Sequence, residues 1–543
     1  NGAVTLYYDN SAKLATSSIG VDVTGTLSVS VDLDVNGVDI GRGGSGVSSN
    51  TALGTQTLED NTTGTGNVAV GYQALPNNTT GYSNVAVGYQ ALLFQTTGTR
   101  NTAIGRQALY SNTTATTNTA VGYQSLRLNT TGASNTSTGH ESLWDNTTGG
   151  SNVANGYHAL YNNTTASNNV AVGVNALFTN TTGGTNTALG REALYSNTTA
   201  SNNVATGYRA LYDNTTGTSN VATGREALFN NTTANNNTAT GFQTLFTNTT
   251  GTSNSAYGSQ ALFYNTTGAN NTALGYRALQ FNTTASSNTA VGREALRDNT
   301  TGANNTANGY QSLLSNTTGT SNLANGLQAL YLNTTGNNNS ATGYQSLLYN
   351  TEGDNNVANG YRALHSNTTG TNNVSVGVQA LFSNTTASSN TAVGRDALYS
   401  NTTGNNNTAV GYQSLRLNTT GTNNVATGWG ALEDNTTGLR NSATGYRSLR
   451  SNTEGDNNVA NGYHALFNNT TGNNNTANGY QALRFNTTGI NNVATGYRAL
   501  DGNTTGSGNF GAAFLTSADA YSPVFNPTTQ DNRVVMGHTA VTN

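Results

Sequence analysis

Five histidines, His140, His158, His365, His464 and His538, are the side chains of this 543-residue chain best suited to general-base or metal chemistry. The first four fall at variable positions of an internal repeat and lie far apart along the chain. They read as isolated surface substitutions and not as ligands. Aspartate and glutamate are scattered in the same way, which leaves no evident carboxylate pair for acid–base work. No HExxH, GxSxG, P-loop or CxxC pattern occurs, and the calcium-binding GGxGxD nonapeptide is missing. Glycine recurs at a fixed spacing, as a turn former does, and not in a dinucleotide fingerprint. With no cysteine, disulfides and thiolate metal sites are excluded. The expectation is a protein that is not an enzyme, with no catalytic residue, no cofactor and no metal.

One further pattern carries chemistry. Of 27 repeats, all but those with Gln95 and with the Asn-Thr-Glu triplets at Asn350 and Asn452 contain Asn-Thr-Thr, so 24 repeat units hold an N-glycosylation sequon. The structural reading is that Asn and Thr form turns and stacked hydrogen-bond ladders. Rows of threonine also suggest ice binding. Two consecutive threonines in a strand would point to opposite faces, however, which argues against one flat threonine surface.

What must position these residues is set by composition and period. Only 34% of residues are hydrophobic and 8% charged, with 64 Gly, 27 Tyr, 13 Phe and three Pro. Disorder of such low hydrophobicity usually brings high charge and few aromatics; this chain has neither, and suits stacked strands with polar ladders. Its net charge of −4 argues against nucleic-acid binding through a basic surface. No apolar run is long enough for membrane insertion, and no signal peptide is visible. The single Met is Met536, so the chain is expected to begin inside a longer or processed product.

Residues 50–508 are 459 residues, 27 units of 17 without insertion or deletion, with the consensus N-[TV]-A-x-G-[YR]-[QR]-[AS]-L-x-x-N-T-T-[GA]-x-[NS]. Position five is Gly in every unit (Gly71, Gly88, Gly105) and position nine is Leu (Leu75, Leu92, Leu109). Position twelve is Asn (Asn78, Asn112) except at Gln95, and position three is Ala except at Ser137 and Ser375. Seventeen residues are too few for a helical repeat. They predict an all-β parallel solenoid or roll with two short strands per coil, Asn67–Val70 and Tyr72–Leu75, a bend at Gly71 and a turn at residues 78–81. At about 4.8 Å per coil the array would form a rod of about 130 Å. The apolar surface that one unit can bury, a Leu, two small residues and a Val, falls short of its ordering cost. Neighbouring coils and a second chain are therefore expected, intertwined or side by side. At position seven, Glu192, Arg209 and Glu226, then Arg277 and Glu294, predict a column of alternating charge.

The ends leave the repeat, giving residues 1–49 as an N-terminal hairpin region and linker, 50–508 as the array, and 509–543 as a C-terminal cap. The hairpin is read around Asp9-Asn10-Ser11, and Leu27–Val31 alternates apolar and polar. The cap contains Phe510, Phe514, Tyr521 and Phe525.

The unit Asn67-Val-Ala-Val-Gly71 resembles the NxAxG units of trimeric autotransporter adhesin heads, whose fold is a trimeric parallel β-roll with a shorter repeat. The ends, Asn1-Gly-Ala-Val-Thr-Leu-Tyr-Tyr-Asp-Asn-Ser-Ala-Lys-Leu14, Gly20–Leu27 and Asp531–Asn543, are similar to tail-fibre proteins of marine bacteriophages, which carry long NxAxGYxAL arrays. In those fibres a segment like the last one precedes a self-cleaving chaperone domain, whose residues match nothing in this chain. The resemblance covers essentially the whole chain. It implies a homotrimeric virion protein, extracellular in location, that forms a tail-fibre shaft. Its implied partners are itself, other virion tail proteins and a host cell-surface glycan or protein. Tyr72, Tyr89, Tyr110 and Trp144, at positions six and ten, are the candidate receptor contacts. A bacterial cell-surface adhesin or extracellular filament is the alternative, with ice binding behind it.

Overall fold

The structure, a computed structural model, describes residues 5–8, 11–17, 20–23, 33–512 and 528–536. The alternation at Leu27–Val31, the turn residues Asp9 and Asn10, Phe514, Tyr521, Phe525 and the last seven residues lie outside them. The chain divides into two compact units, Asn1–Thr218 and Ser219–Asn543. The described residues are all β with one short 3₁₀ turn, and contain no α-helix.

In the first unit, β1 (Thr5–Tyr8), β2 (Ser11–Ser17) and β3 (Gly20–Val23) form an antiparallel sheet in that order. A second hairpin, β4 (Leu33–Val35) and β5 (Val38–Gly41), pairs antiparallel with the first repeat strand, Thr51–Leu53, through Ile40 and Gly41. From there each three-residue strand pairs in parallel with the strand 17 residues on, always in the same register, as in Val68↔Val85 and Ala69↔Ala86. The second unit repeats this ladder from Val221–Thr223 to Val493–Thr495. It continues with Phe510–Ala512, which pairs with Val534–Met536. The chain is therefore a parallel β-solenoid of 17-residue coils.

Only one of the two strands expected per coil exists. Tyr72–Leu75 is a run of turns, because Gln73 (φ 53°) and Leu75 (φ 54°) both occupy the left-handed region, and the same holds at positions seven and nine of every coil. Leucine in that conformation costs about 1–2 kcal/mol. The conformation aims its side chain inward, where each of the 27 leucines is almost wholly buried, and full burial of a leucine contributes about 1.5–3 kcal/mol. Burial outweighs strain, which is why leucine is kept where glycine would be relaxed.

The interior also differs from expectation. The strand valines do not join it: Val68 and Val70 are half-buried on the outer face, and Val153 is exposed. Each coil instead buries Ala at position three (Ser137 and Ser375 excepted), Ala, Ser or Thr at position eight, the leucine, and two asparagines, one of them replaced by Gln95 in a single coil. In the Asn254 coil these are Ala256, Ala261, Leu262, Asn254 and Asn265, all fully buried.

The asparagines work as two ladders. The Asn254 Nδ2 donates to Gly268 O (2.8 Å), closing the coil across its interior, and its Oδ1 accepts the Asn271 N–H (3.0 Å) of the next coil. The Asn265 Nδ2 spends both protons, on Gly268 O (2.9 Å) and on Asn248 Oδ1 (2.8 Å), while its Oδ1 accepts from Asn282 Nδ2 (2.8 Å). Buried amides thus meet their hydrogen-bonding needs only because an identical amide stands one coil away.

One rung fails. Gln95, with its extra methylene, donates to Gly98 O (3.0 Å) and accepts from Asn101 and Asn112 (2.9 Å each), but it does not donate to Asn78, whose Oδ1 is buried without a partner. Leaving a buried acceptor unpaired costs about 1–3 kcal/mol. Gln95→Asn is therefore expected to slow amide hydrogen exchange in the flanking coils about tenfold, the equivalent of about 1.4 kcal/mol. Unchanged exchange there would rule out the broken rung as a weak point.

Candidate functional surface

The outward residues form columns, one residue per coil. Among the repeat residues singled out from sequence, Leu75, Leu92, Leu109, Asn78 and Asn112 are interior. Gly71, Gly88 and Gly105 sit at the bend with φ of 123° to 134°. A Cβ on Gly88 would stand 2.5 Å from the carbonyl oxygen of Gly105.

The four candidate receptor contacts belong to aromatic stacks. Tyr72 and Tyr89 are about 45% exposed and stack on each other at 5.4 Å, with the Arg106 guanidinium on the next step, 5.4 Å from the Tyr89 ring centre. Tyr110 and Trp144 are half-buried in the column of position ten. Arg127 lies between them, 5.2 Å from the Tyr110 ring and 5.5 Å from the Trp144 ring. Tyr161 covers Trp144 from the other side at 5.4 Å with planes 2° apart. The ring faces of Tyr89 and Trp144 are thus occupied by ladder neighbours, and a partner would meet ring edges and hydroxyls. Stacked or cation–π pairs of this kind contribute about 0.5–1.5 kcal/mol each.

Position seven carries a ladder of side-chain amides: Gln73, Gln90, Gln107 and Gln124 each donate Nε2 to the Oε1 of the residue one coil earlier, at 2.7–2.9 Å. The charge column expected there exists at Glu192 and Arg209, whose Oε2 and Nε are 2.6 Å apart. Burial pushes the Glu192 carboxyl up, but hydrogen bonds from Arg209 and Arg191 outweigh it and hold the group below the ordinary carboxylate range. Arg277 bonds to Gln260 (3.1 Å), and Glu294 accepts from Gln311 (2.8 Å), so the second expected pair is replaced by bonds to amides.

The two threonines of the sequon are not equivalent. The first, as Thr266, is half-buried and donates its hydroxyl to Thr283 O (3.0 Å) of the next coil; the second, Thr267, is exposed. The sequon asparagine between them and the core is fully buried in every one of the 24 cases except the first, Asn61, which is 3% exposed.

The histidines divide. His365 stacks on Phe382 at 4.8 Å, and desolvation there, aided by Arg362, pushes its pKa down to about 4. Desolvation also lowers His464, beside Arg484, Arg447 and Arg450. His140 and His158, by contrast, are not far apart. Their separation of 18 residues is one coil plus one, and the structure brings both to Glu141. His158 Nε2 is 2.9 Å and His140 Nδ1 3.9 Å from the same carboxylate oxygen. The signal lay in the period: Glu141 and His158 differ by exactly one repeat, and their coils are adjacent.

Among the described residues no helix is long and apolar enough to cross a membrane. No protein-family model matches the chain, and a search of curated proteins finds no match either.

Proposed function

We propose that this chain is the shaft of a bacteriophage tail fibre, a structural element that works as a homotrimer and carries adhesive contacts to a bacterial cell surface. The observation that carries the reading is the strict repetition of one bonding pattern from coil to coil. Strands and asparagine rungs, the rung at Gln95 aside, bind their equivalents 17 residues away, as do Gln73, Gln90, Gln107 and Gln124 of position seven. Such a ladder presents the same outward columns again and again, so individually weak contacts at Tyr72, Tyr89, Tyr110 or Trp144 and their equivalents would add by avidity. An outer strand face of the second unit with Leu274, Leu323 and Val459 each more than 40% exposed offers apolar area for trimer contacts. The tail-fibre resemblance of the two ends supplies the biological setting.

The test has two arms. Sedimentation equilibrium of the purified chain is expected to give three times the chain mass, and the fluorescently labelled chain is expected to bind whole cells of a susceptible marine bacterium in competition with phage. A monomeric mass would remove the trimer, and a trimer that binds no cell on a broad panel would remove the adhesive role.

A further inference from the structure

We propose that His140, Glu141 and His158 form a binding site for a divalent transition-metal ion, with Zn²⁺ as the reference ion, that staples two successive coils. The three residues come from positions six and seven of the Asn135 coil and position seven of the Asn152 coil. Two imidazole nitrogens and one carboxylate oxygen lie within 4.8 Å of one another, with Glu141 Oε2 2.9 Å from His158 Nε2 and 3.9 Å from His140 Nδ1. Three donors held about 2.0–2.2 Å from a tetrahedral zinc stand about 3.3 Å apart. To fit, the Glu141–His140 gap must close by about 0.6 Å and the Glu141–His158 gap open by about 0.4 Å, while the two imidazole nitrogens, within 4.8 Å of each other, must close by at most about 1.5 Å.

The scaffold already holds these side chains together. The His158 N–H donates to the His140 carbonyl (3.1 Å), which locks the two coils at ladder spacing. Glu141 and His158 share the same left-handed backbone conformation (φ 54° each), so their side chains leave the chain in parallel, one above the other. His140 is sandwiched between Tyr123 (4.9 Å) and Tyr157 (5.3 Å), and His158 lies 3.7 Å from the Tyr157 ring, which restricts both imidazoles. Position seven is a column of glutamines in the coils that lead up to this step, at Gln73, Gln90, Gln107 and Gln124. Replacing its amide–amide bond with a carboxylate and an imidazole, and placing the only position-six histidine of the array beside them, concentrates metal-binding groups at one step.

The donor set selects the ion. Imidazole with one carboxylate suits Zn²⁺, Ni²⁺, Co²⁺ or Cu²⁺ and not the all-oxygen preferences of Ca²⁺ and Mg²⁺. The side chains are 46%, 21% and 19% exposed for His140, Glu141 and His158, so remaining coordination positions open to water. A bound ion replaces the single hydrogen bond between Glu141 and His158 with bonds to both coils and binds the folded ladder alone, which stabilises it by mass action.

The full chain, equilibrated with ZnCl₂ at about pH 7.5 and desalted, is expected to retain about one zinc per chain by mass spectrometry of the metal. Glu141→Gln and His158→Gln, singly and together, should lower the affinity at least tenfold by calorimetry. Both place glutamine where Gln73, Gln90, Gln107 and Gln124 already stand, so the ladder survives and circular dichroism should be unchanged. His464→Gln, at the isolated histidine of the same column, should leave zinc binding intact. Co²⁺ substitution should give visible d–d bands that the double variant lacks. Absence of retained zinc in the unaltered chain, or retention that E141Q and H158Q leave unchanged, overturns the site.

Discussion

Alanine at Gly258 is expected to open the ladder at that coil and to cost about 2–6 kcal/mol, combining about 1–3 kcal/mol of backbone strain with a similar penalty for overpacking. Gly258 has φ 127°, and a Cβ there would stand 2.5 Å from the carbonyl oxygen of Gly275 and 2.7 Å from its carbon. Both are backbone atoms of a ladder whose spacing is set by hydrogen bonds on either side, so neither can retreat. The control is already written into the chain. Gly268, at position fifteen, is crowded just as closely by Ala285 O and Asn265 Oδ1, yet six coils carry alanine at this position: Ala115, Ala166, Ala200, Ala234, Ala285 and Ala387. Its φ lies outside the left-handed region, so a small local shift relieves the contact. Gly268→Ala should therefore change stability by less than about 1 kcal/mol. Hydrogen exchange of the full chain reads both variants, and equal protection of the Ser255–Leu262 amides in the two would refute the argument that backbone conformation decides.

Asn265→Asp keeps the shape of the side chain and removes its donors. Asn248 Oδ1 would lose its partner and face a carboxylate oxygen in a buried position. An unpaired charge of this kind costs about 3–5 kcal/mol. Burial raises the pKa of the new acid above its value in the unfolded chain. The folded state then binds more protons than the unfolded state across the interval between the two values, so stability falls as pH rises through it and recovers in acid. Asn270→Asp, at an exposed position of the same coil, is expected to change stability by less than about 0.5 kcal/mol. Denaturant melts of both variants at neutral and acid pH check the pair; a pH-independent loss for Asn265→Asp would show that shape and not charge is at fault.

The phase of the array was legible without coordinates, because a residue that must touch its own copy one coil away cannot drift, and Asn67, Gly71 and Leu75 do not. Parallel strands at Val68–Val70 and the bend at Gly71 followed from alternation and from glycine chemistry. The second strand did not materialise, since no propensity marks a leucine such as Leu75 for a left-handed conformation that only its buried contacts stabilise. The division into inside and outside was misleading for the same reason. Ordinary hydrophobicity sends valine inward and asparagine outward, whereas Asn265 is buried and Val153 exposed. An amide ladder has no value within one unit and full value between identical units, so the preference is a property of the stack. The neighbourhood of His140 and His158 was hidden by sequence distance and becomes visible once positions are compared modulo seventeen.

The glutamine, asparagine and backbone bonds that join each coil to an identical one also have a genetic consequence. Recombination between two copies of the repeat adds or deletes whole units, and the junction it leaves keeps the backbone and asparagine partners of an ordinary junction. Alleles that differ by complete repeats would fold alike and differ only in the number of coils. A deletion of any other size would throw every downstream asparagine out of line with its partner. The gene can therefore vary its repeat number by unequal exchange while selection holds the unit itself constant.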